Sequence, residues 1–547
     1  MDSSRLLRTS GAVIATAALL ISGCALEDSA PSASAAARPR VQGDGRAWSD
    51  LPAVGAIGAG GSLAGPASTL APLPRALPSA LRPYYAQKLA WHACGATGFE
   101  CATLTAPLDY DRPRAGDDIK LAVSRKKATG SGEHLGSLMV NPGGPGGSAI
   151  HYLQQYAGNG YPAAVRARYD LVGMDPRGVA ASEPVTCLSD AEMDAYTQVD
   201  QTPDDATEIA ELVEAYQKFA DGCASRSGKL LAHVSTVDAA RDMDVLRAAL
   251  GDEKLAYVGA SYGTFLGATY AGLFPSRVGR LVLDGALDPS LDAERINRDQ
   301  TAGFQTAFTA FVQDCLKRKD CPLAPATNAA AAGDRLAALF KQLDAHPVQA
   351  GKRKLTESLA TTGVISAMYD EAAWALLRKG LRDAENGDGA LLLRLSDAYY
   401  ERDGKGSYTN LMFANAAVNC LDLPPAFRNP NDVREALPDF RKASPVFGAS
   451  LAWSSLTCGY WSVPATGRPH RIPARGAAPI LVVGTTRDPA TPYPWARSLA
   501  SQLSSGRLLT YDGDGHTAYT RGSKCVDNAI NNYLLTNTPP PADQKCS

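Results

Sequence analysis

Ser261 is the residue of this sequence whose surroundings best fit it to act as a nucleophile. It stands in Gly259-Ala260-Ser261-Tyr262-Gly263, behind the apolar run LAYVG (Leu255 to Gly259) and ahead of the helical-looking TFLGATYAGLF. A G-x-S-x-G so placed lifts the serine above a sheet on a strand-to-helix turn, and its small neighbours relieve the crowding of that strained turn. The five letters alone recur by chance in a chain with 50 Gly. The strand before and the helix after select this occurrence. The chemistry they imply is acyl transfer through a serine ester.

Acyl transfer needs backbone N–H groups aimed at the developing oxyanion, one from the residue after the nucleophile and one from a glycine-rich loop behind an earlier strand. Tyr262 meets the first requirement. The loop Asn141-Pro142-Gly143-Gly144-Pro145-Gly146-Gly147, directly after SLMVN (Ser137 to Asn141), meets the second, with Gly144 and Gly143 as donors. A plain turn is the other reading of such a Gly/Pro cluster, but it explains less well why the cluster follows a buried strand.

The general base is a histidine, and the chain has 7. Behind an elbow of this kind the partners run in the order serine, acid, histidine. Only His346, His470 and His516 follow Ser261; His346 lies in a helical stretch, and His470 precedes the strand PILVVGT that should carry the acid on its following loop. His516, in GDGHTAY after the last strand-like run, remains. Asp488, in GTTRDPATP just beyond PILVVG, is the acid that would hold the imidazole in one tautomer and stabilise its protonated form. Asp512 and Asp514 are rivals that lie too close to His516 to come from a separate strand end, and read as turn formers. Thr491 either orients the Asp488 carboxylate through its hydroxyl or simply precedes the turn at Pro492. This chemistry calls for no cofactor and no metal. A zinc site is a weak competitor, since no C-x-x-C pair occurs.

The elements that must position these groups alternate between β-like runs and helical stretches, which predicts an α/β fold around a mostly parallel sheet. Candidate strands are IKLAVS (Ile119 to Ser124), SLMVN, YDLVGMD (Tyr169 to Asp175), LAYVG, RLVLDG (Arg280 to Gly285), PILVVGT (Pro479 to Thr485) and RLLTYDG (Arg507 to Gly513). Between the fifth and sixth of these the chain is Ala/Leu-rich and helical, as in DRLAALFKQLDAH and DEAAWALLRKGLRDAENG. The division that follows is a signal peptide over 1–23, an Ala/Pro/Gly-rich tether without order over 24–83, a first core part over 84–290, a helical cap over 291–465 and a second core part over 466–547. The net charge of −2 creates no single-signed field to attract nucleic acid.

Arg5 and Arg8 precede the apolar run from Ala12 to Ile21, which ends in Leu20-Ile21-Ser22-Gly23-Cys24. This is the pattern of an export signal, with Cys24 as a lipidated residue that would attach the protein to the outer face of the membrane; an ordinary signal peptide cleaved nearby is the alternative. Of 11 Cys, ten remain if Cys24 carries lipid. Local spacing favours the pairs Cys94 with Cys101, Cys187 with Cys223, Cys315 with Cys321, Cys420 with Cys458, and Cys525 with Cys546.

With these residues in hand the chain resembles the tripeptidyl-aminopeptidase branch of the prolyl-aminopeptidase-like serine peptidases, exported actinomycete enzymes of the α/β-hydrolase fold. The resemblance runs through Trp91, Cys94, Glu100-Cys101-Ala102, Pro107-Leu108-Asp109-Tyr110, NPGGPGGS, Asp175-Pro176-Arg177-Gly178, GASYGT, Asn419-Cys420-Leu421-Asp422, Asp488 and His516. It implies an acyl-enzyme, a helical cap over the site, and release of short peptides, tripeptides foremost, from free N-termini. Such an enzyme must bind a terminal ammonium, for which a desolvated carboxylate is the economical partner. Asp422 is favoured, because a Cys420 to Cys458 bridge would hold its backbone still, and Glu371 is the runner-up. The rival functions are an exported esterase for small acyl esters and a cell-surface binding lipoprotein without catalysis.

Overall fold

The computed structural model of the chain describes residues 68–113 and 117–547. The export signal, Cys24 and most of the tether lie outside the described residues. The backbone of the fold is a ten-stranded sheet. Its strands are β1 (His92–Ala93), β2 (Glu100–Pro107), β3 (Asp118–Lys126), β4 (Ser137–Asn141), β5 (Asp170–Met174), β6 (Leu255–Ala260), β7 (Val278–Asp284), β8 (Ile480–Arg487), β9 (Gly506–Asp514) and β10 (Gln544–Cys546). They lie in the order β10-β9-β8-β7-β6-β4-β5-β3-β2-β1. From β5 to β10 neighbours are parallel, while β1, β2 and β3 join antiparallel. Strands β4 to β8 are mostly buried and covered on both faces, which is why they read as near-continuous apolar runs. Strand β4 is buried at every position, Ser137 and Asn141 included.

Three strands escape the apolar-run criterion. In β2, ECATLTAP, only every second side chain from Ala102 to Ala106 is fully buried, and two of these three are alanine. Strands β1 and β10 are edge pieces with two and three residues.

The tether expectation needs correction over 68–83. Ser68–Thr69 pairs with His470–Arg471, and the Leu73 N–H donates to the Leu273 carbonyl at 2.9 Å. Leu70, Leu73 and Leu77 pack against the main core, and Leu81 is buried within it. Spaced leucines anchor this stretch where its Pro-rich composition by itself predicts no order.

Helices α1 (Thr236–Leu250) and α2 (Tyr262–Leu273) pack against each other beside the sheet. Beyond β7 the chain is chiefly helical: α3 (Ala293–Cys315), α4 (Ala329–Ala345), α5 (Glu357–Met368), α6 (Trp374–Glu385), α7 (Ala390–Tyr399), α8 (Leu411–Asp422) and α9 (Pro430–Ala443), then α10 (Lys524–Thr536) after β9. Helices α3 to α7 share a core of their own around Phe308, Phe311, Leu359 and Leu377. Helix α8 instead sends Phe413, Ala417, Val418 and Leu421 into the core under the sheet, beside Tyr262 and Leu266. The five disulfides join Cys94 to Cys101, Cys187 to Cys223, Cys315 to Cys321, Cys420 to Cys458 and Cys525 to Cys546, the pairs that local spacing favours. Among the described residues no helix is long and apolar enough to cross a membrane.

One cluster outside the sheet sets a pH dependence of stability. Carboxylate oxygens of Asp200, Asp344 and Glu357 lie within 4.8 Å of one another. Burial, against a hydrogen bond from Thr202 and with the added charges of Asp200 and Asp344, pushes the Glu357 carboxyl from 4.5 up to about 7. A carboxyl whose folded pKa is raised contributes stability that is fully present below its unfolded pKa and lost as pH rises through the folded one. Glu357→Gln should therefore melt at a higher temperature than the parent at pH 8, with the advantage fading toward pH 5. Equal melting temperatures at pH 8 would contradict this account of the cluster.

Candidate active site

Ser261 occupies the turn between β6 and α2 with φ 56° and ψ −127°. A side-chain-bearing residue at positive φ is strained, and here the surroundings enforce it. The two motif glycines make the crossing possible. A Cβ on Gly259 would lie 2.4 Å from the Gly263 carbonyl oxygen, and one on Gly263 would lie 2.9 Å from the Asn141 carbonyl oxygen. The Ser261 N–H donates to the Asp284 carbonyl at 2.9 Å, and its own carbonyl accepts from the Thr264 hydroxyl at 2.6 Å. Both ends of the turn are thereby pinned.

The glycine-rich loop passes directly against this turn. A Cβ on Gly143 would meet the Ala260 oxygen at 2.5 Å, Ser261 Cβ at 2.8 Å and the Tyr262 nitrogen at 2.9 Å. Only glycine permits that approach, and φ of 95° at Gly143 and 111° at Gly144 reinforces the need. Gly143 departs from its expected role as a donor, because its N–H is spent on Asn141 Oδ1 at 2.9 Å. The amides that remain as candidate donors are those of Gly144 and Tyr262, the latter at the open N-terminus of α2. The loop is fixed from behind by Asp175, which accepts from the Ser148 hydroxyl at 2.8 Å and the Ile150 N–H at 3.0 Å.

His516 and Asp488 face each other across the loops after β9 and β8. Histidine Nδ1 lies 2.9 Å from both Asp488 oxygens. Asp488 is 2% exposed, yet it is fully supplied with donors: Ala490 N–H at 2.9 Å, Thr491 N–H at 2.8 Å, the Thr491 hydroxyl at 2.9 Å and Thr517 N–H at 3.2 Å. The carboxylate is thereby hydrogen-bonded at both oxygens without solvent. It orders Nδ1 as the protonated nitrogen and leaves Nε2 free to accept a proton. Among the described residues Nε2 has no hydrogen-bond partner. The rival acids are engaged elsewhere. Arg487 holds Asp512 at 2.8 Å and grips Asp514 through two nitrogens at 2.7 and 3.1 Å.

Several contributors were not singled out by the sequence. Asp284, at the end of β7, is the main one: its carbonyl holds the Ser261 N–H, and its carboxylate accepts from Ala518 at 3.0 Å and Tyr519 at 2.8 Å. One residue thus ties the nucleophile turn to the histidine loop. Burial pushes its carboxyl from 3.8 up to about 6 against the pull of those backbone donors. From the helical region the Tyr369 carbonyl accepts the His516 N–H at 2.8 Å, and the Tyr369 ring stands edge-on to the imidazole at 5.5 Å. Arg521 bridges the His516 carbonyl at 2.8 Å to Asp370 at 2.9 Å. The DG that ends RLVLDG was the available hint for Asp284; nothing in the sequence pairs Tyr369 with His516.

The two acids considered for a substrate ammonium fall in different places. Asp422 is turned inward: it accepts from the Thr236 N–H at 2.8 Å and from the Thr236 hydroxyl, which also meets the Tyr262 hydroxyl. The expected ammonium contact does not fit a carboxylate already committed to these internal donors. Glu371 is exposed and follows Tyr369-Asp370, the segment that abuts His516. Partial burial and the charge of Asp514 raise its pKa.

Comparison with known proteins follows the same lines. The family described as TAP-like protein matches residues 444–546, the part that carries Asp488 and His516. The serine protease Hip1 of Mycobacterium tuberculosis is 39% identical over 486 residues, covering 85% of this chain and 92% of that protein. Carboxylesterase B of the same organism is 38% identical, covering 82% and 86%. The tripeptidyl aminopeptidase of Streptomyces lividans is 32% identical over 474 residues, covering 84% and 86%.

Proposed function

Because the chain belongs to the tripeptidyl-aminopeptidase-like serine peptidases of the α/β-hydrolase superfamily, we propose that it releases short peptides, tripeptides foremost, from free N-termini through an acyl-enzyme on Ser261. The observation that carries this is the Asp488–His516 pair, with Nε2 unpartnered, on a loop that Asp284 ties to the turn of Ser261, itself held at φ 56° against a glycine loop. His516 takes the proton of Ser261 as the serine oxygen attacks the scissile carbonyl. The amides of Tyr262 and Gly144 receive the oxyanion, and Asp488 stabilises the imidazolium. The imidazolium then protonates the leaving amine, and water repeats the sequence to free the acyl group. Thr491 keeps the Asp488 carboxylate in place through its hydroxyl. The helices between α3 and α9 act as a cap that limits how much chain enters.

For the substrate ammonium we favour Glu371 over Asp422, since Glu371 alone combines exposure with a place beside the His516 loop. The test compares a tripeptide amide with its N-acetylated form. A charge-assisted contact is worth about 1.5–3 kcal/mol, so the parent should favour the free amine in kcat/KM by roughly 10- to 100-fold. Glu371→Gln should lose most of that preference while turning over a simple ester as before. Equal cleavage of both peptides by the parent would remove the aminopeptidase reading. An ester strongly preferred over every peptide would favour the second reading, ester hydrolysis, which the 38% likeness to a carboxylesterase keeps open.

The export signal over 1–23 and lipid on Cys24 would place the enzyme at the outer face of the membrane. Cys24→Ala should then release it to the medium or leave it unprocessed, and unchanged membrane association would exclude this mode of anchoring.

A further inference from the structure

Helix α8 touches both halves of the candidate oxyanion hole. At its first turns it presses on the glycine loop: a Cβ on Gly146 would lie 2.4 Å from the Leu411 carbonyl oxygen and 3.2 Å from Ala414 Cβ, and the Asn415 amide donates to the Pro145 carbonyl at 3.1 Å. Asn419 buttresses Asn415 by donating to its side-chain oxygen at 3.0 Å. At its last turn Asp422 accepts both donors of Thr236, at the start of α1, and the Thr236 hydroxyl meets the phenol of Tyr262. The helix is held at both ends. Asn410 accepts from the Ala180 N–H at 2.8 Å and donates to the Gly178 carbonyl at 2.8 Å, and Cys420 is bonded to Cys458.

We propose that α8 is the positioning element of the oxyanion hole, setting the Gly144 loop through Asn415 and the Tyr262 amide through the buried chain Asp422, Thr236, Tyr262.

The proton order in that chain is directional. With Asp422 ionised, Thr236 gives its hydroxyl hydrogen to Asp422, so its oxygen is left to accept from the Tyr262 phenol. Tyr262 is thus fastened at the far end of its side chain, while its first helical position fixes the near end. The carbonyl of the Ser261–Tyr262 peptide is held by Thr264 and the side chain that leaves the Tyr262 Cα is held by Thr236, so the two contacts together restrain that peptide, and a buried hydrogen bond costs more to break than an exposed one. Preorganised donors of this kind act because they need no reorganisation when the charge forms. A purely structural role would be served more cheaply by an apolar side chain, since burial pushes the Asp422 carboxyl from 3.8 up to about 7. These residues act through the Tyr262 and Gly144 amides; none is assigned contact with the substrate.

The inference rests on acyl transfer at Ser261, and the two fail separately. If a fluorophosphonate does not label the parent at Ser261, the acyl-transfer reading falls. If labelling succeeds, the test measures kcat, KM and inhibition by a peptide aldehyde, whose adduct with a serine carries an oxyanion, in Thr236→Val, Tyr262→Phe and the double variant. Each single change should lower kcat by roughly 10-fold and weaken the aldehyde by the same factor, with KM within about twofold, because only transition-state binding is lost. The double variant should lose no more than either single one, since both cut the same chain. Thr236→Ser should restore turnover. Asn415→Ala, on the partly exposed face of α8, should show the same matched loss and stands in if a buried variant fails to fold. Unchanged kcat and aldehyde affinity in Tyr262→Phe or Asn415→Ala would overturn the proposal. So would a loss confined to KM or to free-amine preference, which would return the chain to substrate binding.

Discussion

Ser261→Ala should lower kcat on a tripeptide amide by on the order of 10⁶-fold, and His516→Ala should do nearly the same. In the proposed mechanism the serine and the imidazole form one proton-transfer unit, so removing either leaves only binding and the oxyanion donors to act. The fold should survive both changes. Ser261 contributes to the core through backbone hydrogen bonds to Asp284 and Thr264, and alanine keeps these. Alanine also relieves nothing at φ 56°, so a small change in melting temperature of either sign is compatible with the loss of turnover. The checks are burst-free steady-state kinetics, loss of fluorophosphonate labelling in Ser261→Ala, and unchanged circular dichroism. Turnover within tenfold of the parent by either variant would show that a different nucleophile or base does the work.

The second large effect is expected at Asp488. Asp488→Asn keeps the size of the side chain but offers the imidazole an N–H or a carbonyl in place of a carboxylate, which favours the wrong tautomer and removes the countercharge. Loss of turnover by about 10⁴-fold is the expected scale. The amide also collides with the local donor set. Ala490, Thr491 and Thr517 point four hydrogens at the two oxygens, two at each, so two of those donors would face the new NH₂ group. Thr491→Val should give a smaller decrease by loosening the carboxylate without removing it. Asp514→Asn is the control. Its carboxylate pairs with Arg487 at the rim, a partly exposed ion pair worth about 0–1 kcal/mol, and turnover should stay within about fivefold of the parent. A larger loss at Asp514 than at Asp488 would mean that the acid had been misassigned.

The placement of Ser261, Asp488 and His516 just beyond strand ends was legible because each follows a strand-like run. A strand end fixes where the next residue emerges, so local pattern and chain order were enough to choose among 7 histidines. The cysteine pairs were legible for a similar reason, since short spacings leave few partners within reach. Composition misled over 68–83, where Leu70, Leu73 and Leu81 bury against surfaces that the segment itself does not contain.

What the sequence by itself determined, then, was the α/β architecture, the strand-to-helix turn at Ser261, the loops after strands that carry Asp488 and His516, and the glycine loop: features built from stretches of some ten residues by strand periodicity, turn chemistry and the absence of Cβ atoms. Only the tertiary structure decided which groups face the site and which turn away. Asp284 meets Ala518 across a separation of 234 residues, and Tyr262 shares a hydroxyl with an acid on α8, through a contact from Thr236 to Asp422 that spans 186. Whether Asp422 points at a substrate or at Thr236, and whether the Gly143 amide is free or spent on Asn141, depends on desolvation and on the direction of hydrogen bonds. These are set by the packing of distant segments and leave no periodic trace along the chain.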